Sequence, residues 1–350
     1  MRTLSLIFLL LMLMLSVAPF MIGQTAATQL TAKFLDVALP LAPDDALWQQ
    51  PQPIIVPLTQ QQIAPPWGGG TVPQIEVRVL HNGQYIAFLL SWADATVNQE
   101  LVANDSFSDG VALEFPSEPA NNPAPFMGDA KNAVNIWQWQ AAWQRDVNEG
   151  GIADVDRTHP AYGDVYVEQH MREKGEIFWR PGEFVDNWRA QRDRVTPVEN
   201  LVALGYGTLT HLEQQDVYGQ GKWADGKWRV TFGRALNTHL SGETEFKPGV
   251  KTQINFAVWE GSAQERGARK SVSLQWHPLE LQAVTTTTAA TVSQPTEKSV
   301  PPTTTPEPRA PEKAPPSIPP ILPAVIAGLG GLIVGALIAV LVMKGMSSRG

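Results

Sequence analysis

Apolar and polar residues alternate along most of the chain between residues 28 and 282. A period of two is expected of strands that bury one face. Turn signals separate the alternating runs, with Asn82-Gly83 and Asp225-Gly226 each lying between two apolar segments, as in β-hairpins. The pattern predicts an all-β domain, built as a sandwich or a barrel. The expected strands are 75–79, 85–92, 111–115, 134–139, 201–212 with a bulge at Gly205 and Gly207, 221–223, 228–232, 254–258 and 272–276.

Two segments lack this alternation. Residues 148–194 are polar and charged with scattered aromatics, which predicts a long insertion of loops containing at most a short, weakly indicated helix within 184–194. Residues 283–320 are dominated by Thr, Pro, Ser and Ala. That composition cannot bury a core and predicts an extended, disordered stalk.

Both ends of the chain are apolar. Residues 1–27 combine Arg2, an apolar run and small residues, which predicts a signal peptide, with an uncleaved N-terminal anchor as the alternative. Residues 321–343 are uncharged and long enough for a transmembrane helix, and Lys344 and Arg349 lie in the following tail, 344–350. We therefore expect a single-pass cell-membrane protein with residues 28–282 outside, in the periplasm or extracellular space, and a cytoplasmic C-terminus.

Composition excludes several functions. The net charge of −8 and the lack of a Lys/Arg-rich stretch argue against nucleic acid as a partner. Cysteine is absent, which excludes disulfides, cysteine-ligated iron–sulfur clusters and covalently attached c-type haem. The sequence contains no zinc-hydrolase, P-loop or serine-hydrolase motif, so it offers no catalytic residue.

A methionine stands at the tip of the loop that leads into the strand at 134–139. Met127 is followed by Gly128, which lets the backbone turn and present the side chain. A thioether is a soft ligand that suits haem iron or copper. A methionine in aromatic surroundings also serves as core filler, so the residue by itself leaves both roles open.

Two patches of sequence resemble the haem-binding domain of the ethylbenzene dehydrogenase gamma-subunit family. The first is Phe126-Met127-Gly128 followed by Ala-Val-Asn-Ile-Trp-Gln-Trp at 133–139, and the second covers 256–261, 265–273 and Trp276. The similarity extends over roughly residues 28–282. Members of this family accompany the type II members of the dimethyl sulfoxide reductase family of molybdenum enzymes.

The resemblance implies a β-sandwich that binds haem b non-covalently, with Met127 and Lys270 as the axial ligands of the iron. Lys251, Lys247 and the pair His170-Met171 remain alternative ligand sources. The tryptophans expected to wall the haem pocket are Trp137, Trp139, Trp259 and Trp276, although core packing would explain such residues equally well. Arg266 and Arg269 are candidates for neutralising the haem propionates.

The expected function is therefore electron transfer, with a molybdopterin catalytic subunit and an iron–sulfur subunit as partners. A surface-anchored carbohydrate-binding β-sandwich without haem is the alternative, since such modules also carry tryptophans and a Thr/Pro stalk suits surface display. It predicts flat, exposed tryptophans and tolerance of substitution at Met127. A purely structural surface protein would need neither cofactor nor sugar.

Overall fold

A computed structural model describes residues 28–101, 103–118, 121–150, 187–190 and 194–284. Within these residues the chain is mostly β-sheet, with fourteen strands and one short α-helix. The expected all-β class is thereby confirmed for the described part of the chain. The elements are β1 (Leu30–Phe34), β2 (Ile54–Pro57), β3 (Thr59–Gln60), β4 (Gln74–His81), β5 (Tyr85–Ala93), β6 (Gly110–Pro116), β7 (Val134–Gln140), α1 (Ala141–Asn148), β8 (Val198–Ala203), β9 (Thr210–His211), β10 (Tyr218–Ala224), β11 (Lys227–Ala235), β12 (Lys251–Trp259), β13 (Ser271–Val272) and β14 (His277–Leu281).

The strands follow the order β10-β11-β5-β4-β1-β14-β12-β6-β7-β8-β9. β1 is parallel to both β14 and β4, and the remaining ladders are antiparallel. β1 and β14 thus join a first group of strands, β10, β11, β5 and β4, to a second group, β12, β6, β7, β8 and β9. β2 pairs with β4 in the first group, while β13 pairs with β12 and with β3.

The main hydrophobic core lies between these two groups. Phe88 of β5 packs 5.7 Å from the ring of Phe115 of β6 and 5.9 Å from the ring of Trp137 of β7. Trp92 and Trp139 repeat this contact at 6.5 Å. Fully burying side chains of this kind stabilises the fold by roughly 1.5–3 kcal/mol each. Because both groups contribute to one core, they pack face to face as a sandwich.

A second apolar cluster lies on the opposite, outer face of the second group. It is formed by the small or apolar residues that alternate with the core residues along β6, β7, β8 and β12. We call it the outer cluster; its buried members are Ala112, Val134, Ile136, Leu201, Ala203 and Trp259, and Met127, Ala257 and Trp276 pack against it. β6 and β7 are therefore buried on both faces. The outer face is covered by loops, which bring Met127 and Trp276 against the outer cluster.

Two expected strands have different boundaries. β8 ends at Ala203, and β9 folds back on it with Leu201 opposite His211, so 201–212 forms a hairpin and not one bulged strand. Gly205 and Gly207, with φ of +120° and +85°, lie in the connecting turn. The strand expected at 272–276 is not formed as one element. β13 ends at Val272, residues 273–276 form a connection, and β14 begins at His277.

Helix α1 is absent from the sequence-based prediction. It has eight residues, and the N-cap residue before it, Gln140, provides no side-chain cap. The hydroxyl of Ser108, far away in the chain, accepts a hydrogen bond from the N–H of Ala142 at 3.0 Å instead. A helix that is short and capped from a distant residue has no local signature.

The predicted signal peptide (1–27), transmembrane helix (321–343) and tail (344–350) lie outside the described residues, as do all but the first two residues of the stalk. Most of the insertion, 148–194, lies outside them as well; a short 3₁₀ turn, Trp188–Ala190, is described. Among the described residues, no helix has the length and apolar character needed to cross a bilayer.

Candidate functional site

The loop between β6 and β7 places Met127 against the outer cluster. Met127 has φ of +70° and Gly128 has φ of +75°. The left-handed region is unfavourable for methionine, and such strain is retained where the surroundings hold it in place, often at functional sites. Glycine is needed next to it, because a Cβ at position 128 would lie 2.7 Å from the carbonyl oxygen of Asn132.

Three contacts hold the backbone around Met127. Its N–H donates to Oε1 of Glu114 at 3.0 Å, and its carbonyl accepts from the N–H of Gly205 at 2.7 Å. The carbonyl of Pro125 accepts from Nδ2 of Asn255 at 2.7 Å. Contacts from β6, β12 and the β8–β9 turn therefore fix the strained backbone, and the thioether is left to face the outer cluster.

Lys270 approaches the same cluster from the loop between β12 and β13. Its carbonyl accepts from the N–H of Gln61 at 3.4 Å. The β3–β4 loop packs closely against the backbone of Lys270. A Cβ at Gly69 would lie 2.4 Å from the backbone nitrogen of Lys270, which explains a glycine at position 69. The Lys270 ammonium lies 5.1 Å from the centroid of Trp259, a member of the outer cluster. Met127 and Lys270 thus converge on one apolar surface.

The pKa of Lys270 lies below that of an exposed lysine. Burial lowers this pKa, and the nearby carboxylate of Glu114 opposes the shift. Burial likewise raises the pKa of Glu114 to about 7, against the opposing effects of Lys270 and the Met127 N–H. Within the described residues the Lys270 ammonium has no hydrogen bond or ion pair, so its nitrogen is free to act as a ligand once deprotonated.

The alternative lysines have carboxylate partners. The ammonium of Lys247 lies 3.1 Å from Glu245, and that of Lys251 lies 3.4 Å from Glu280. Both side chains are largely exposed. His170 and Met171 lie outside the described residues.

The four candidate tryptophans separate into two pairs. Trp259 and Trp276 lie with the outer cluster, where Trp276 donates to the carbonyl of Pro123 at 2.8 Å. Trp137 and Trp139 are fully buried in the main core on the opposite face of β7. Trp137 and Trp139 therefore take the core role that was the alternative for these residues, because adjacent strand positions point to opposite faces and positions 137 and 139 share the inner one.

The two candidate arginines lie on the same loop as Lys270 but in different surroundings. Arg266 is exposed, with its guanidinium 5.2 Å from the ring centroid of Phe107. Arg269 is half-buried against Gly68, and its Nε has no hydrogen-bond partner. A buried guanidinium N–H without an acceptor is suited to a carboxylate group.

Glu114 was missed by the sequence-based search for site residues. It is the single charged residue in the strand Gly-Val-Ala-Leu-Glu-Phe-Pro. That contrast was the available signal, because a carboxylate within an otherwise apolar strand needs a partner once the strand is buried on both faces.

The site offers a thioether sulfur and an amine nitrogen, a largely apolar surface of small side chains, and an arginine N–H without an acceptor. Thioethers and neutral nitrogen donors are ligands of haem iron, and a macrocycle needs a broad apolar surface. The residues present therefore fit a haem group. Within the described residues nothing at this site resembles a nucleophile activated by a base.

A family described as ethylbenzene dehydrogenase matches residues 45–271. The chlorate reductase subunit gamma of Ideonella dechloratans is 26% identical over 190 residues, covering 54% of this chain and 57% of the relative. The dimethylsulfide dehydrogenase subunit gamma of Rhodovulum sulfidophilum is 25% identical over 250 residues, covering 68% and 74%. A Haloferax mediterranei protein, proposed to be a respiratory nitrate reductase heme subunit, is 25% identical over 270 residues, covering 77% and 79%.

Among solved structures, a family 9 carbohydrate-binding module of Caldicellulosiruptor kristjanssonii aligns with 77% of this chain and 100% of its own length, at 10% identity and a TM-score of 0.39. A similarity at this level supports no inference about carbohydrate binding.

Proposed function

Because the chain belongs to the ethylbenzene dehydrogenase family, we propose that it is a haem protein that transfers electrons as the gamma-type subunit of a molybdenum oxidoreductase complex. The observation that carries the proposal is the convergence of Met127 and Lys270 on the outer cluster. The names of the relatives support it, since two are gamma subunits of a reductase and a dehydrogenase and the third is proposed to be a heme subunit.

The proposed cofactor is haem b, held non-covalently because the chain has no cysteine to attach it. A bound haem supplies a one-electron change in the oxidation state of its iron. Met127 and Lys270 would hold the iron through the thioether sulfur and the amine nitrogen. Two ligands from the protein would suit electron transfer, because oxygen or a substrate would have to displace one of them.

The surrounding residues orient the side chain of Met127 and lower the pKa of Lys270. Glu114 and Gly205 fix the backbone of Met127, so the thioether is oriented before the cofactor arrives. Burial against Trp259 lowers the pKa of Lys270 and favours the neutral amine that can bind iron. The acceptor-free Nε of Arg269, on the same loop, would pair with a propionate.

We further propose that the protein is anchored in the cell membrane by residues 321–343, with the haem domain outside and the C-terminus in the cytoplasm. The support is the sequence pattern: an apolar N-terminal run, a Thr/Pro-rich stalk, and an uncharged apolar segment followed by Lys344 and Arg349. The proposed partners are a molybdopterin catalytic subunit and an iron–sulfur subunit.

Absorption spectroscopy of the full-length protein, produced in a haem-replete host, tests the cofactor and its ligands. We expect a Soret band that shifts on dithionite reduction, with sharp α and β bands typical of low-spin haem b. Met127→Leu keeps the apolar packing but removes the thioether, and Lys270→Leu removes the amine without supplying another donor atom. Each is expected to abolish the low-spin spectrum.

Lys251→Leu is the matched control, because this exposed lysine is paired with Glu280; its spectrum should equal that of the wild type. Folded, haem-supplied protein without a Soret band would refute the proposal. A wild-type spectrum in both ligand variants would leave haem binding intact and refute the assignment of Met127 and Lys270.

A further inference from the structure

Three carboxylates meet at the ends of strands from both groups. Asp94 follows β5, Asp109 precedes β6 and Glu260 follows β12. One oxygen of each lies within 4.8 Å of the others. Asp94 is 3% exposed and Asp109 0% exposed, so two of the three groups are withdrawn from water.

Asp109 has hydrogen-bond donors for both of its oxygens. Its Oδ1 accepts from the N–H of Gly261 at 2.8 Å. Its Oδ2 accepts from the N–H of Asn98 at 2.8 Å and from Nε1 of Trp228 at 3.0 Å. These contacts fix the position of the Asp109 carboxylate, yet Oδ1, which accepts one hydrogen bond, keeps lone-pair capacity for a further partner.

In the part of the chain that the structure describes, the carboxylates of Asp94 and Glu260 each accept hydrogen bonds at only one of their two oxygens. The N–H of Thr96 donates to Oδ1 of Asp94 at 3.0 Å, and the N–H of Ser262 donates to Oε1 of Glu260 at 2.9 Å. The second oxygen of Asp94 is buried without a hydrogen-bond partner. The Asp94 carboxylate interacts with that of Glu260 and with Nε1 of Trp92, which is itself buried without a hydrogen bond among the described residues. Two carboxylates without a donor between them require either a shared proton or a cation.

No cationic side chain compensates this charge within the described residues, because none of the ion pairs there includes Asp94, Asp109 or Glu260. Burial raises the pKa of Asp94 to about 6 and that of Asp109 to about 7, and neighbouring carboxylates add to both shifts.

We propose that Asp94, Asp109 and Glu260 bind one divalent cation, with Ca²⁺ preferred over Mg²⁺. Ca²⁺ accepts about six to eight oxygen ligands in a flexible geometry, with water completing the shell, whereas Mg²⁺ requires a near-ideal octahedron. Backbone N–H groups already hold one oxygen of each carboxylate, which disfavours rearrangement to that octahedron. The cation would link β5 of the first group to β6 and β12 of the second.

Calorimetric titration of the chelator-treated, full-length protein at pH 7.5 tests this site with CaCl₂ and MgCl₂ as the probes. We expect one Ca²⁺ per chain with a Kd on the order of 10⁻⁴ M, weaker Mg²⁺ binding, and a melting temperature that rises with Ca²⁺. Glu260→Gln retains shape at a half-buried position and should weaken Ca²⁺ binding at least about tenfold. Glu213→Gln, at an exposed site, is the matched control and should bind as the wild type does.

Asp94→Asn provides a second variant whose folding is not expected to suffer. Its new amide can donate to Glu260, so it should melt at or above the wild-type temperature in chelator while losing the response to Ca²⁺. Folded wild-type protein that neither binds Ca²⁺ nor melts higher in its presence would show that the carboxylates share a proton, and would overturn the proposal. Unchanged Ca²⁺ binding in both variants would place the cation elsewhere and overturn it equally.

Discussion

Replacing Trp137 with phenylalanine tests the main core without changing the proposed haem site, because Trp137 belongs to the core and not to the outer cluster. Trp137 is fully buried, with Phe115 at 4.9 Å and Phe246 at 6.0 Å between ring centroids. The guanidinium of Arg234 lies 4.9 Å from its ring centroid. The substitution keeps an aromatic ring on the inner face of β7 and removes the remainder of the indole, including Nε1.

The expected loss of stability has three parts. About 40 Å² of apolar surface no longer buried costs roughly 1 kcal/mol at about 25 cal/mol per Å². The hydrogen bond from Nε1 to Oδ1 of Asn135, at 3.0 Å, contributes about 1 kcal/mol. The Asn135 oxygen still accepts hydrogen bonds from the guanidinium of Arg234 and from the N–H of Thr244, so the substitution leaves no acceptor unpaired. The remaining cavity adds up to about 1 kcal/mol, for a total of about 2–3 kcal/mol.

Guanidinium unfolding followed by far-UV circular dichroism measures this loss, and the melting temperature should fall by roughly 5–10 °C. The Soret spectrum of the same sample should remain that of the wild type, because Trp137 faces away from Met127. Trp259→Phe is the matched comparison: it removes part of the outer cluster and should weaken haem retention. An altered Soret spectrum in folded Trp137→Phe protein would refute the assignment of the outer face as the haem-binding surface.

Three further substitutions test other parts of the structure. Gly128→Ala should destabilise the loop and reduce haem retention, since its Cβ would lie 2.7 Å from a carbonyl oxygen; spectroscopic haem titration measures this, and wild-type affinity would contradict the strained-loop argument. Glu243→Gln leaves the buried guanidinium of Arg234 without its ionic partner and should cost roughly 3–5 kcal/mol in denaturant unfolding, so a loss below about 1 kcal/mol would show that the pair is dispensable. Burial lowers the pKa of His81, so the unfolded chain takes up a proton that the folded chain does not as pH falls below the ordinary value of 6.5, and stability is lost in that direction. His81→Leu should therefore be more destabilising, or less stabilising, at pH 7 than at pH 5; an effect independent of pH would contradict this.

Local signals in the sequence determined much of the fold and part of the site. The alternation along β4 and β11 predicts strands because a half-buried strand repeats every two residues. Asn82-Gly83 marks the hairpin between β4 and β5 because both residues tolerate a left-handed turn. Met127-Gly128 marks the ligand loop for a similar reason, since glycine tolerates the left-handed conformation found there. The absence of cysteine restricts any haem to non-covalent binding.

Only the tertiary structure decided which face each residue occupies. In β7 the consecutive residues from Val134 to Trp137 are all buried, so the polarity pattern could not separate the inner tryptophans from the outer cluster. Glu114 becomes part of the site through loops that cover the outer face of β6, and Asp94, Asp109 and Glu260 meet because β5, β6 and β12 end near one another. Periodicity reports local conformation, whereas these contacts join residues far apart in sequence, and they exist only once the two groups of strands have packed together.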